Sequence, residues 1–248
     1  MTAVHLRVRR VRRAAWFFAS YPAGARAEVL AAWDDLAPGA PDALTSICTL
    51  TGTRASAFGQ HLGSERTLRR LVAPLARIPG VRFSAGTDGF LALQRRWAAC
   101  ADGASTGACA DVPRSTFAAS SVYVADRLGA RARRAFVDAA DTGASLVLDA
   151  YGGAINRVAA DATAFVHRDA RFSVQIVSYT TLATARSRVR RARARIAPFG
   201  DGQAYQNYAD PELRDPLGAY YGANLARLRE IKAAVDPERR FRTAQGIT

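Results

Sequence analysis

The sequence predicts an α+β protein in which a mostly antiparallel sheet is covered by helices. The chain has 248 residues, of which 49% are hydrophobic and 23% charged. A chain of that size and composition buries a substantial core, as one large or two modest domains. Its patterns run strand, helix, strand, helix, and then strands with one more helix. That order fits a two-layer α+β domain.

The first residues are predicted to form a strand. Val4, Leu6 and Val8 alternate with His and Arg, which favours a strand over a helix. A basic start followed by an apolar run resembles an export signal, but the run 14–19 is short and Ser20-Tyr21-Pro22 ends it. No run approaches the roughly 18 apolar residues of a membrane span, so we expect no transmembrane helix.

Helices and strands follow, separated by Pro and Gly turns. Pro74 lies inside one predicted helix and predicts a kink or an early end there. The stretch 81–114 is expected to be irregular apart from one short helix. The predicted helices are 25–36, 64–78, 90–99, 131–140 and 184–197, and the predicted strands are 43–52, 145–151 and a hairpin of 163–167 and 172–179.

The net charge of +14 suggests nucleic acid or an anionic membrane surface as a partner. Lys232 is the only lysine, however, and the 34 arginines are scattered among many alanines. The predicted helix 184–197 carries six of them, all outside the apolar stripe of Ala185, Val189, Ala192 and Ile196. We therefore interpret the charge as a compositional bias with solvated faces, and expect neither nucleic acid nor membrane as a partner.

The chain has three cysteines. Cys100 and Cys109 lie in a loop of small residues with eight residues between them, which makes a short disulfide plausible, and Cys48 is left over. The alternative is three reduced cysteines in a cytoplasmic protein. The three histidines, His5, His61 and His167, have no metal-ligand spacing, so no metal site is predicted.

Residues 203–247 combine packing with chemistry. A strand over 203–210 would point Ala204, Gln206 and Tyr208 to one face and Tyr205 and Asn207 to the other. A helix from Leu217, stopped by Asp236-Pro237, would place Asn224 in the middle of an apolar stripe. A buried amide there needs partners, because an unsatisfied one costs about 1–3 kcal/mol.

These residues resemble a known family. Four sequence segments resemble, in order, the C-terminal segment of the berberine bridge enzyme-like flavoproteins, which are FAD-linked oxidases of the p-cresol methylhydroxylase type. The four are YQNYAD, YYGANLARLREIK, DPERRF and QGI. YGGAINRV and TAFVHRD resemble that family's substrate domain. Weaker similarity extends back to the start of the chain.

The resemblance implies a domain organisation. Residues 1–200 would form the substrate-binding α+β domain, and 201–248 a strand-helix segment that returns to a flavin domain. That N-terminal FAD-binding domain is expected to be missing, since Met1 falls inside the family's chain and no G-x-G-x-x-G or other phosphate cradle is present. We expect the chain alone to bind FAD weakly and to be inactive until a second polypeptide supplies the missing half.

The resemblance also implies a reaction and its residues. A small organic substrate would lose a hydride to FAD, and O2 would reoxidise the flavin. Tyr208 would be the catalytic base, which requires a lowered pKa or an onward proton acceptor. The acid before the YGG turn, Asp149, would bond to the Tyr208 phenol or move its proton, while Gln175 and Tyr151 would bind substrate. Tyr205, Asn207 and Asn224 are predicted to face the cofactor.

Plainer interpretations stand beside these. Asp149 could cap a turn, Gln175 could be an ordinary strand amide, and Tyr208 could be a tyrosine at the edge of the core. The runner-up function is a non-catalytic, arginine-rich binding module for an acidic polymer or a partner protein. Secreted relatives with a cysteine pair at this place favour a secreted parent protein, with a cytoplasmic one as the alternative.

Overall fold

The computed structural model describes residues 5–6, 8–98 and 114–248. Within them, seven strands form one sheet in the order β4-β1-β3-β2-β6-β7-β5, and each neighbouring pair is antiparallel. The strands are β1 (Arg13–Pro22), β2 (Leu44–Leu50), β3 (Arg54–His61), β4 (Arg82–Gly89), β5 (Phe117–Val124), β6 (Ser145–Ala150) and β7 (Phe172–Tyr179). The predicted fold class, an antiparallel sheet with helices, is confirmed.

The helices pack mainly against one face of this sheet. They are α1 (Arg26–Leu36), α2 (Glu65–Leu71), α3 (Ala73–Ala76), α4 (Phe90–Trp97), α5 (Ala130–Ala140), α6 (Gly153–Asn156), α7 (Leu182–Ile196), α8 (Pro216–Tyr221) and α9 (Leu225–Val235). The core lies between the sheet and α1, α2, α5 and α7. Trp33 of α1 is fully buried there, meets Phe172 of β7 edge to face at 5.5 Å, and donates its indole N–H to Ser46 Oγ at 3.0 Å.

Most helix predictions are confirmed by local chemistry. Ser64 caps α2 by accepting the amide of Thr67 at 3.1 Å, and the helix ends at Leu71, just before Pro74, as that proline predicts. In α7 the buried residues are the four of the predicted apolar stripe, and the arginines lie outside it. The arginine-rich helix is therefore a core helix with a solvated face.

Several strand predictions are wrong. Leu6 and Val8 belong to no strand and are 79% and 89% exposed, and the first strand begins at Arg13 instead. Residues 163–167 form no strand either, because the chain bends there, with the Arg168 amide bonded to the Val166 carbonyl at 2.9 Å. Strands β3, β4 and β5 were not predicted, since sequences such as RFSAGTDG and FAASSVYV are rich in small residues and lack regular alternation.

The C-terminal segment also differs from its prediction. Residues 203–210 form turns rather than a strand. The single predicted helix is divided between α8 and α9 at Gly222, whose φ of 48° is incompatible with a continuous right-handed helix. Cys100 and Cys109 lie outside the described residues, while Cys48 on β2 is a buried free thiol.

A buried ion pair joins α1 to the sheet. Asp34 is 1% exposed, and it accepts hydrogen bonds from Arg171 Nε at 3.0 Å and from the Leu128 amide at 2.8 Å. Arg171 also donates to the Asp34 carbonyl at 2.7 Å. The charge is thus paired and hydrogen-bonded, as a buried carboxylate requires.

Among the described helices, none combines the length and apolarity needed to cross a bilayer.

Candidate functional site

The face of the sheet opposite the core helices, which we call the open face, carries polar side chains on strands β5, β6 and β7. Asp149 pairs with Ser173, which in turn pairs with Tyr123. One step along, Val147 pairs with Gln175. Because paired side chains share a face and alternate residues repeat it, Asp149 and Gln175 are diagonal neighbours, about 7–8 Å apart at their backbones. Two of the predicted site residues thus lie side by side.

Residues 203–210, which we call the tyrosine loop, wrap around the edge strand β5. On the open face, the Tyr205 amide donates to Ser121 Oγ at 2.7 Å. On the helix-covered face, Ser120 Oγ donates to Asp210 Oδ2 at 2.6 Å. Neighbouring serines point to opposite faces of a strand, so Ser120 and Ser121 hold two ends of the tyrosine loop, one on each face of the sheet. The loop also covers backbone groups that an edge strand would otherwise expose.

A tight turn within the loop brings its two tyrosines together. The Tyr208 amide donates to the Tyr205 carbonyl at 2.9 Å, and the two rings meet edge to face with centroids 5.2 Å apart. Asn207 Nδ2 donates to the Tyr205 hydroxyl at 2.7 Å. The prediction that Tyr208 faces away from Tyr205 and Asn207 is therefore wrong, because it depended on a strand that does not form.

The loop, β5, β7 and α7 enclose a cavity of about 450 Å³, large enough for a small organic molecule. Gln175 and Tyr208 both line it, with Asn207 beside them and the arginines Arg186 and Arg190 at its α7 side. A second cavity of about 430 Å³ lies on the other side of Asn207, lined by Gln206, Tyr221 and Gln245 among others. The tyrosine loop therefore separates two spaces.

The electrostatics of the site shift both of its acids toward their protonated forms. Burial raises the pKa of Tyr208, and the negative charge of Asp149 raises it further. Burial also raises the pKa of Asp149, an effect that a hydrogen bond from Ser173 partly offsets. Among the described contacts, no hydrogen bond joins Asp149 to Tyr208, so the two groups interact through their charges. In this chain the Tyr208 phenol is a proton donor at neutral pH.

Two predicted site residues have partners within the chain. Tyr151 shares a hydrogen bond of 3.2 Å with the Tyr123 hydroxyl and is not among the residues that line the cavity of Gln175. Asn224 donates to the carbonyls of Ala160 and Thr163 at 2.7 and 3.1 Å. Its amide is satisfied, as expected, but by the loop before β7.

Sequence reasoning missed the residues that hold the tyrosine loop. Ser120 and Ser121 lie on β5, and their neighbour Tyr123 stacks on His167 with ring centroids 4.0 Å apart. The one available signal was the polar pair of serines next to the β-branched and aromatic run VYV. Because no strand was predicted there, neither its edge position nor its two faces could be used.

Comparisons with known proteins show which family the chain belongs to. The family model described as berberine and berberine like matches residues 204–248, which include all but the first residue of the tyrosine loop, together with α8 and α9. An uncharacterized FAD-linked oxidoreductase of Bacillus subtilis, YgaK, is 31% identical over 233 residues, which are 89% of this chain and 49% of that protein. The chain belongs to the berberine bridge enzyme-like family. It spans about half the length of the relatives it matches.

Other members of the berberine bridge enzyme-like family support the assignment. Chitooligosaccharide oxidase of Gibberella zeae is 26% identical over 237 residues, 87% of this chain and 48% of the relative. The structure of BBE-like 1 from Physcomitrella patens superposes with a TM-score of 0.88 at 25% identity, and the match covers 96% of this chain and 54% of the other. The fold of this chain is thus shared with that family member.

One buried acceptor in the tyrosine loop fits a cofactor such as FAD bound next to it. Gln206 Oε1 is a buried acceptor without a hydrogen bond in the described chain, so a donor from outside would satisfy it. On α9 no residue is buried, and Ile231 and Val235, one turn apart, are 42% and 75% exposed. Phe241, which follows the helix, is 82% exposed.

Proposed function

We propose that this chain forms the substrate side of the active site of an FAD-dependent oxidase of the berberine bridge enzyme-like family. The observation that carries the proposal is that Gln175 and Tyr208 line one cavity, with Asp149 next to Gln175 on the open face. An amide, a phenol and a carboxyl group close together suit a substrate that presents a hydroxyl group. The relatives' names as FAD-linked oxidoreductases support the same reading.

Each side chain has a proposed role. Gln175 binds and orients a substrate hydroxyl through its amide. Tyr208 acts as the base once its phenol proton has been passed on, with Asp149 as the proposed group that helps to move that proton, and the resulting phenolate takes the proton of the reacting hydroxyl. The negative charge of Asp149 raises the pKa of Tyr208. Because two like charges repel each other, the pair holds one negative charge more readily than two. Protonation of Asp149 therefore makes the Tyr208 phenolate easier to form.

The cofactor would lie against the tyrosine loop. Tyr205, Asn207 and the unpaired acceptor of Gln206 are the proposed contacts, and Asn224 supports them by fixing the loop of Ala160 and Thr163. When bound, FAD would accept the hydride removed from the substrate and be reoxidised by O2. The exposed side of α9 would pack on the domain that carries the flavin, supplied by the same polypeptide or by a second one.

The substrate class follows from the site and from one relative. A cavity of about 450 Å³ holds one small organic molecule, and its amide and phenol favour a polyol over a hydrocarbon. Chitooligosaccharide oxidase is named for a carbohydrate substrate. We therefore propose a sugar or another hydroxylated small molecule. We also propose a secreted parent protein, on the basis of the predicted Cys100–Cys109 pair.

The experiment is reconstitution. The chain is produced together with a flavin-binding half, either from the adjoining reading frame or from a relative, and free FAD is removed. Retained yellow absorbance, and its loss when a panel of sugars and alcohols is added without oxygen, are the expected results. A complex that retains no flavin, together with tight nucleic-acid binding that weakens steeply with salt, would instead favour the arginine-rich binding module.

A further inference from the structure

His167 has a place in this site that its sequence context does not reveal. It lies in the loop before β7 and is fully buried. Its Nδ1 is hydrogen-bonded to Oε1 of Gln203, the first residue of the tyrosine loop. Its ring stacks on Tyr123 with centroids 4.0 Å apart and planes inclined by 19°. We propose that His167 is a positioning residue that fixes the tyrosine loop, and with it the Tyr208 phenol, against the open face.

The argument begins with how Gln203 is held. Its backbone carbonyl accepts the Tyr123 amide at 3.3 Å, while its side chain meets His167. The imidazole in turn stacks on the ring of that same Tyr123. Gln203 is thus held through both its backbone and its side chain, by two residues that also contact each other. Because Gln203, His167 and Tyr123 all contact one another, these contacts together restrict the conformation of the first residue of the loop.

The His167 contact differs from the other anchors of the loop. The serine anchors come from β5 and hold Tyr205 and Asp210. His167 comes from the connection between β6 and β7, whose Phe165 meets the rings of Tyr205 and Tyr151, each with centroids 6.3 Å apart. His167 therefore ties the start of the loop to the segment that sets the position of Tyr205, on which the Tyr208 ring rests.

The protonation state of His167 agrees with this role. Burial lowers the pKa of the imidazole, against the smaller opposing effects of Gln203, the Tyr220 backbone and Asp169. A neutral imidazole carries one N–H, and Nδ1 is the nitrogen that faces the side-chain oxygen Oε1 of Gln203. A neutral ring with its proton on Nδ1 can donate to that oxygen, so the bond to Gln203 needs no charge on the imidazole.

The anchoring can be measured in the intact chain, without flavin. Amide hydrogen exchange of residues 203–210 reports loop opening, because the amides of Ala204, Tyr205 and Tyr208 are hydrogen-bonded. His167→Phe keeps a ring on Tyr123 but removes the bond, and Gln203→Met removes it from the other side. Each is expected to speed exchange about three- to tenfold, the change that corresponds to one hydrogen bond. The double variant should be no faster than the faster single one.

Two controls separate positioning from general packing. His167→Asn places an amide N–H where Nδ1 was and should restore slow exchange. His61→Phe removes another buried histidine, at the end of β3, and should leave the loop unchanged. If His167→Phe lowers the melting temperature yet leaves exchange at 203–210 as it was, or if the two single effects simply add, the proposal is overturned.

The consequence for catalysis rests on the proposed function. In the reconstituted oxidase, His167→Phe is expected to lower kcat more than it changes KM, because Gln175, the proposed substrate-binding side chain, is unchanged. If exchange rises while the rate of flavin reduction stays the same, the result supports anchoring by His167 and counts against the role given to Tyr208. The two proposals therefore fail in different experiments.

Discussion

Tyr205 and Tyr208 meet edge to face at 5.2 Å because the chain turns between them. This turn allows one loop to present a tyrosine to the cavity and a second tyrosine to the rings of the β6–β7 connection. In a strand, the two side chains would have pointed to opposite faces. The turn therefore decides what Tyr208 contacts.

Asp149→Asn is expected to stabilise the chain at neutral pH. Burial raises the pKa of Asp149, so its charge opposes folding at every pH above its unfolded value of about 3.8. The free energy of unfolding should rise by about 0.5–2 kcal/mol at pH 7, the range usual for a single stabilising substitution. At pH 3, where the carboxyl group is protonated in both states, the variant should bring no increase. Chemical denaturation at the two pH values tests this. An equal gain at both would mean that the carboxylate is not disfavoured by burial.

The same variant should lower the pKa of Tyr208. Burial is the largest cause of the raised Tyr208 pKa and Asp149 is the largest charged one, so removing the carboxylate should lower this pKa part of the way. Difference absorbance of the phenolate, between Asp149→Asn and Asp149→Asn/Tyr208→Phe, isolates the Tyr208 titration. A pKa that does not move would show that the two groups are too far apart to act as a coupled pair.

Removing the Asp34 carboxylate should cost much of the chain's stability. Asp34→Ala leaves Arg171 and the Leu128 amide without their partner, a loss of about 3–5 kcal/mol. Glu230→Ala breaks an exposed pair with Arg227 and should change the free energy of unfolding by less than about 1 kcal/mol. If Asp34→Ala does not fold, Asp34→Asn supplies the comparison. Equal effects for Asp34→Asn and Glu230→Ala would contradict the structural role.

Alkaline pH should unfold the chain through Cys48. Burial raises the pKa of this thiol from 9.0 to about 12, so the folded state keeps the proton that the unfolded state loses. Stability contributed by the neutral thiol is complete below pH 9 and falls between 9 and 12, by at most about 1.4 kcal/mol per pH unit. Thermal melts from pH 8 to 11 should show a shallower decline in Cys48→Ala. Parallel declines would contradict this.

The apolar side of α9 is expected to matter for association and not for folding. Ile231→Glu changes a residue that is 42% exposed, so the melting temperature of the isolated chain should stay within a few degrees of the wild-type value. Binding to the flavin-binding half should weaken at least tenfold. Glu230→Lys is the control on the same helix, where the side chain is 66% exposed. Unchanged binding by Ile231→Glu would exclude α9 from the interface.

The helices were predictable from sequence because their signals are local. The stripe of Ala185, Val189, Ala192 and Ile196 defines the core face of α7, and Ser64 and Pro74 mark where α2 begins and ends. Such signals depend on side chains three or four residues apart, so they survive without knowledge of the rest of the fold.

The strands and the site depended on distant partners. Half of β5 is Ala or Ser, and β7 pairs with its full length. The tyrosine loop is held by Ser120, Ser121 and His167, and none of these is near it in sequence. Family resemblance suggested Asp149, Gln175 and Tyr208 as candidate site residues, whereas periodicity alone placed Tyr208 on the wrong side of Tyr205.

The most direct test of the proposed chemistry is the rate of flavin reduction without oxygen in the reconstituted oxidase. Tyr208→Phe should lower this rate by about 10²–10⁴-fold, the usual contribution of a general base. Tyr179→Phe removes a hydroxyl from another tyrosine lining the same cavity and should leave the rate within about twofold of wild type. A Tyr208→Phe enzyme that is reduced as fast as the Tyr179→Phe control would contradict the account.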